Sequence, residues 1–102
     1  MKIEWLYEAQ REYHDFLTYY LTMVGEKYAK RFSERILGAV SKLEDTPELG
    51  VLKSDTLMGK HGFRALFIDE YVCVYKSIDD TVYIYHLADA RKNYIYHIFG
   101  TE

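Results

Sequence analysis

Apolar positions follow two rhythms along this chain. Between residues 13 and 43 they recur every three or four positions. Between 62 and 87 they form dense runs broken by pairs of acids. The first rhythm belongs to amphipathic helices and the second to short strands. Tyr13, Phe16, Leu17, Tyr20, Leu21 and Val24 mark one helix, which Gly25 closes as a C-terminal cap. From Glu26 a second helix carries Tyr28, Ala29, Phe32, Ile36, Ala39, Val40 and Leu43 on one stripe. Its polar side holds Lys27, Lys30, Arg31, Glu34, Arg35 and Lys42, most simply a solvated face. Thr46-Pro47 stops it, because proline cannot continue the ladder. So short a junction predicts an antiparallel helical hairpin.

Residues 2 to 6 alternate and predict a short first strand. Gly50 to Ser54 reads as another, and Ser54 to Lys60 as a loop. Three strands follow, from Gly62 to Ile68, Tyr71 to Tyr75 and Val82 to Leu87, separated by Asp69-Glu70 and Asp79-Asp80. This is the pattern of a tight antiparallel meander. Two-residue turns pair Ile68 with Tyr71, Leu66 with Cys73, Arg64 with Tyr75, Cys73 with His86 and Tyr75 with Ile84. Paired residues share a face. One face then carries Arg64, Leu66, Ile68, Tyr71, Cys73, Tyr75, Val82, Ile84 and His86. The other carries Phe63, Ala65, Phe67, Val72, Val74, Tyr83, Tyr85 and Leu87; being nearly all apolar, it is expected to take the helices. The last dozen residues predict a short strand or helical turn. The expected fold is α+β: a two-helix antiparallel hairpin on a small twisted antiparallel sheet. Residues 1–102 make one domain.

Composition narrows the function. At 49% hydrophobic and 28% charged, the chain is globular rather than disordered. No apolar run approaches the roughly 20 residues of a membrane span. Glu4 and Glu8 break any leader-like apolar start, so a cytoplasmic protein is expected. The single Cys73 excludes an internal disulfide, and four histidines without ligand spacing argue against a metal. No cofactor motif is present. A net charge of −3 argues against indiscriminate phosphate binding. Eleven tyrosines suit half-buried faces and interfaces.

Apolar strands need no arginine to fold, so Arg64 and the histidine His86 ask for a second explanation. The order of elements, the Gly25-Glu26 junction, the Phe63-Arg64 strand start, the Tyr71-Val72-Cys73-Val74-Tyr75 strand and the closing Ala88-Asp89-Ala90-Arg91-Lys92-Asn93-Tyr94 resemble the RelE/ParE superfamily of bacterial toxins. The resemblance implies one half of a type II toxin–antitoxin module (a plasmid-stabilisation toxin) neutralised by a cognate antitoxin. RelE-like members are ribosome-dependent endoribonucleases, or mRNA interferases; ParE-like members poison DNA gyrase without chemistry. For the first class the resemblance implies Arg64, Arg91, Tyr94 and His86 as catalytic residues. Lys53, Lys60, His61 and His97 would be substrate-binding residues.

Those side chains suit the reaction. Arginine holds phosphate oxygens in a planar fork, which fits Arg64 and Arg91 for stabilising charge. Histidine exchanges protons near neutrality, which fits His86 or His97 as acid or base. Tyr94 stacks on a base or orients a phosphate. Plainer roles stand beside each: a salt bridge or packed stem for Arg64, an ion pair with Asp89 for Arg91, a satisfied sheet histidine for His86. Ribosome-cutting relatives are markedly basic, and this chain is acidic. The expectation is therefore mRNA cleavage on the ribosome, with gyrase inhibition or a silent antitoxin-binding module as alternatives.

Overall fold

The computed structural model describes residues 1–100. The tail expectation covers Thr101 and Glu102 as well, which lie outside the described residues. Strand β1 (Lys2–Trp5) leads into helix α1 (Tyr7–Met23), and α2 (Glu26–Ser41) follows at once. A single 3-10 turn, Lys42–Glu44, extends α2. A short helix α3 (Leu57–Lys60) precedes the meander β2 (Arg64–Ile68), β3 (Tyr71–Ile78) and β4 (Thr81–Asp89), and α4 (Tyr94–Phe99) ends the described chain. The sheet order is β1-β4-β3-β2.

The α1–α2 corner depends on Gly25. The N–H groups of Val24 and Gly25 both donate to the Tyr20 carbonyl, at 3.0 and 2.8 Å. Gly25 has φ +131°, which a side chain would oppose. The glycine thus ends α1 one residue after Val24 and caps α2. Helix α2 buries Ala29, Phe32, Ile36 and Val40. Full burial of a side chain such as Phe32 or Ile36 is worth about 1.5–3 kcal/mol, so this stripe holds the hairpin to the sheet.

Three expectations need correction. The sheet is mixed rather than antiparallel, because β1 runs parallel to β4, with Ile3 opposite Val82 and Trp5 opposite Ile84. The expected strand at Gly50–Ser54 is one bridge, Val51 with Ala65, and the loop after it closes with α3. Thr56 caps α3 by accepting from the Gly59 N–H.

The third correction concerns the faces. Pairing of β2 with β3 is as expected, Arg64 with Tyr75 and Ile68 with Tyr71. Tyr75 also meets Ile84, but a bulge between Val74 and Tyr75 then moves His86 opposite Val74 and Leu87 opposite Cys73. The helices pack on the face with Leu66, Ile68, Tyr71, Cys73, Tyr75, Val82 and Ile84, which gains Leu87 and loses His86. The other face, with Ala65, Val72 and Val74, is covered by Met58 and Tyr94. The two tyrosines explain the exchange. Tyr71 bonds the Tyr20 hydroxyl, and Tyr75 is satisfied by backbone, so both phenols bury without leaving polar atoms unpaired. An aromatic cluster of Tyr13, Phe16, Tyr20, Phe32 and Tyr71 fills this layer, with ring centroids 5.0–6.5 Å apart.

Candidate functional site

The eight candidate residues fall into separate neighbourhoods. Arg64 starts β2 on the helix-facing side. Its Nη1 donates to the carbonyl oxygens of Gly50, at 2.9 Å, and Glu48, at 3.4 Å. Beside it the fully buried Tyr75 hydroxyl donates to the Pro47 carbonyl at 2.7 Å and accepts from the Gly50 N–H at 2.8 Å. The two side chains clasp residues 47–50, a segment whose backbone groups have no helix or strand ladder of their own. Burial pushes the Tyr75 phenol above its ordinary pKa.

Arg91 lies in the turn after β4. Its Nε and Nη2 form a two-pronged contact with Asp89 at 3.0 and 2.8 Å, and Nη1 stands 3.5 Å from Glu70. The guanidinium holds the Asp89 carboxyl well below the usual range, at about 2, and the carboxylate in turn raises Arg91. The backbone N–H of Arg91 also donates to Asp89, at 2.9 Å, so the contact orders the turn.

Tyr94 opens α4, where Asn93 supplies the cap by accepting from the Tyr96 N–H. Its ring is buried against Phe67, with centroids 6.3 Å apart. Its hydroxyl is buried without a hydrogen-bond partner, and burial raises its pKa. The phenol is therefore held protonated in an apolar seat.

His86 sits on the part of β4 beyond the end of β1. There the freed strand edge is taken over by α1. Glu12 accepts from the Leu87 N–H at 3.1 Å and lies 3.2 Å from His86 Nδ1. Glu12 was not among the residues picked from the sequence. Its signal was present: it lies four residues before Phe16 and eight before Tyr20, so it is a carboxylate on the apolar stripe of α1. His86, Glu12, Lys92, Tyr94 and His97 line one open groove of about 350 Å³.

The remaining candidates stand elsewhere. Lys53 Nζ lies 5.9 Å from the centre of the Phe67 ring, a cation–π contact. Lys60 and His61 are exposed at the end of α3. The structure thus brings His86, Tyr94 and His97 together, leaves Arg91 engaged with Asp89 at the groove's border, and puts Arg64 on the opposite sheet face from Tyr94. Among the described residues no group of three His, Cys, Asp or Glu could hold a metal ion. Nor is any described helix long and apolar enough to cross a membrane. Burial pushes the Cys73 thiol up to about 12, which makes it packing rather than a nucleophile.

A groove of about 660 Å³ runs between α2 and the free edge of β2. Leu49, Val51 and Phe67 expose apolar surface there. Arg35 closes one end by a two-pronged ion pair with Asp69, Nε at 2.9 Å from Oδ2. Val51 pairs with Ala65 by two backbone bonds of 2.8 and 2.9 Å. Antiparallel alternation then turns the Phe67 N–H and C=O outward along the strand edge.

Residues 3–94 match the family model described as "ParE toxin of type II toxin-antitoxin system, parDE". No curated protein sequence matches the chain. Among solved structures, one described as "Chromosomal ParDE TA system from P. aeruginosa" contains a chain with this fold. It superposes with a TM-score of 0.73 at 15% identity, covering 87% of this chain and 95% of that one.

Proposed function

Because the chain belongs to the ParE toxin family of type II toxin–antitoxin systems, we propose that it arrests growth by binding DNA gyrase rather than by cutting RNA. The observation that carries this reading is how the would-be catalytic residues are employed. Arg64 is engaged by backbone carbonyls on the helix-facing side. Arg91 is held by Asp89 and Glu70. The Tyr94 phenol is buried and kept protonated. Cleavage by a 2′-OH needs cationic groups converging on one phosphate, and stabilising that charge is usually the largest catalytic contribution. Here Arg64 and Arg91 stand in separate neighbourhoods, each held by its own partners. The net charge of −3 points the same way, since rRNA docking relies on a basic surface.

A toxin of this kind requires a cognate antitoxin. The β2 edge groove suits an extended antitoxin segment, whose backbone would pair with Phe67 while its side chains cover Leu49 and Val51. The same chemistry makes a cytoplasmic site of action part of the proposal.

One observation favours mRNA cleavage as the second reading. His86, oriented by Glu12, shares its groove with His97 and Lys92, two imidazoles with acid–base capacity beside a cation. Induction in growing cells separates the two readings. Gyrase poisoning raises a DNA-damage reporter while primer extension finds full-length messages. RNA cleavage gives new primer-extension stops at translated codons and no early rise of the reporter.

A further inference from the structure

Helix α2 contains a glycine that the chain itself does not require. Gly38 lies inside the helix, which runs on to Ser41 and then into the 3-10 turn. Its backbone is ordinary right-handed helix, unlike that of Gly25, Gly62 and Gly100, whose φ values are positive. Nor does packing demand it. A Cβ built on Gly50 would strike Tyr75 at 2.7 Å, and one on Gly59 the Lys53 carbonyl at 1.9 Å, so the fold uses those glycines. A Cβ on Gly38 would meet no heavy atom within 4 Å. Glycine inside a helix is less stable than alanine, so α2 is weakened at a position where alanine would fit. What a missing side chain still permits is close approach of another molecule to the backbone.

Gly38 lies where that approach is open. It lines the groove between α2 and β2 together with Leu49, Val51 and Phe67. Those three side chains are exposed by 46, 49 and 46%. The charged residues of the groove, Glu34, Arg35, Lys42 and Asp69, cancel one another, so net charge does not select the occupant. Backbone pairing does. Phe67 turns its N–H and C=O outward along the β2 edge, which suits an extended segment. Side chains alternate along such a segment, so every second one points to the face that α2 covers. One of these comes down over Gly38, where no Cβ stands in its way.

We infer that Gly38 is a specificity-determining residue for the antitoxin: one large apolar side chain of the antitoxin's extended segment packs there against bare helix backbone. This rests on the antitoxin reading of the β2 edge groove and adds to it the point at which a partner is selected.

The test titrates the purified 102-residue chain with the protein encoded by the adjoining gene, the cognate partner in a toxin–antitoxin module, in a calorimeter. Melting of each toxin variant alone runs beside it. The variants are Gly38→Ala, Gly38→Leu and, as control, Leu37→Ala. Leu37 is the neighbouring position and 46% exposed, but it lies on another side of α2, beside Trp5, Gln10 and Tyr13. Gly38→Ala is expected to raise the toxin's own Tm by roughly 2–8 °C. The dissociation constant for the antitoxin nevertheless rises about tenfold or more, because the added methyl group overpacks the contact. Gly38→Leu raises it further, and Leu37→Ala leaves it unchanged. A Gly38→Ala variant that binds as tightly as the parent protein overturns the proposal. So does one whose Tm falls, since the glycine then serves the toxin's own fold, and so does an equal loss of binding in Leu37→Ala. A parent protein that does not bind the neighbouring gene product removes the antitoxin reading itself, and the proposal with it.

Discussion

Replacing Tyr75 by phenylalanine removes one oxygen from the interior and leaves two backbone groups without their partner. The hydroxyl donates to the Pro47 carbonyl at 2.7 Å and accepts from the buried Gly50 N–H at 2.8 Å. The Pro47 carbonyl is partly reached by water, so losing that bond costs about 1 kcal/mol. The Gly50 N–H is buried, and an orphaned buried donor costs about 1–3 kcal/mol. The expected loss is about 2–4 kcal/mol. For a domain of this size each kcal/mol moves the midpoint by roughly 4–8 °C, so the Tm falls by roughly 10–30 °C. Urea unfolding followed by circular dichroism measures the loss, with m unchanged. Arg64→Ala releases the Gly50 carbonyl of the same segment, so the double variant is expected to lose less than the two single losses together, with a coupling of at least about 0.5 kcal/mol. A Tyr75→Phe loss below about 0.5 kcal/mol, or strictly additive losses, refutes the clasp. Arg64 would then be free for another role.

Other consequences are as direct. Gly59→Ala places a Cβ 1.9 Å from the Lys53 carbonyl oxygen, so the backbone must shift, and a loss of about 1–3 kcal/mol is expected in the same unfolding assay. Asp79 turns the β3–β4 corner at φ +56°, so Asp79→Val should cost about 1–2 kcal/mol while Asp79→Gly costs less, measured by thermal melts. Asp89 is depressed to about 2 by Arg91, so its contribution is present above the ordinary carboxylate pKa of about 3.9 and is lost as pH falls towards 2. Asp89→Asn should remove that part of the acid dependence, as read from melting points between pH 5 and 2. Burial raises Cys73 to about 12, so a thiol reagent at pH 8 should label it only as fast as the protein unfolds.

Much of the fold was legible because two periodicities dominate the chain. The stripe Phe32, Ile36, Val40 and the two-residue corners at Asp69-Glu70 and Asp79-Asp80 determine the hairpin and the meander. The parallel strand β1 was not legible, since four alternating residues do not declare their partner. The choice of sheet face was hidden by the tyrosines. Tyr71 and Tyr75 read as half-polar in sequence, yet each finds hydrogen-bond partners that let it bury. The bulge after Val74 is a single-residue event that pattern counting passes over, and it moves His86 to the groove beside Glu12. The candidate site was legible in part. The family resemblance implied Arg91 and Tyr94 as catalytic residues, but Arg91 turns to Asp89 while Tyr94 turns inward to Phe67. Glu12 was overlooked because acids on a helix are usually solvated, and only the free end of β4 makes this one a strand partner.

The most direct measurement is supercoiling of relaxed plasmid by purified gyrase with this 102-residue chain titrated in. Dose-dependent loss of supercoiling is expected at concentrations near that of gyrase, in a reaction containing no RNA. Complete supercoiling at a large molar excess of the folded protein would contradict gyrase inhibition.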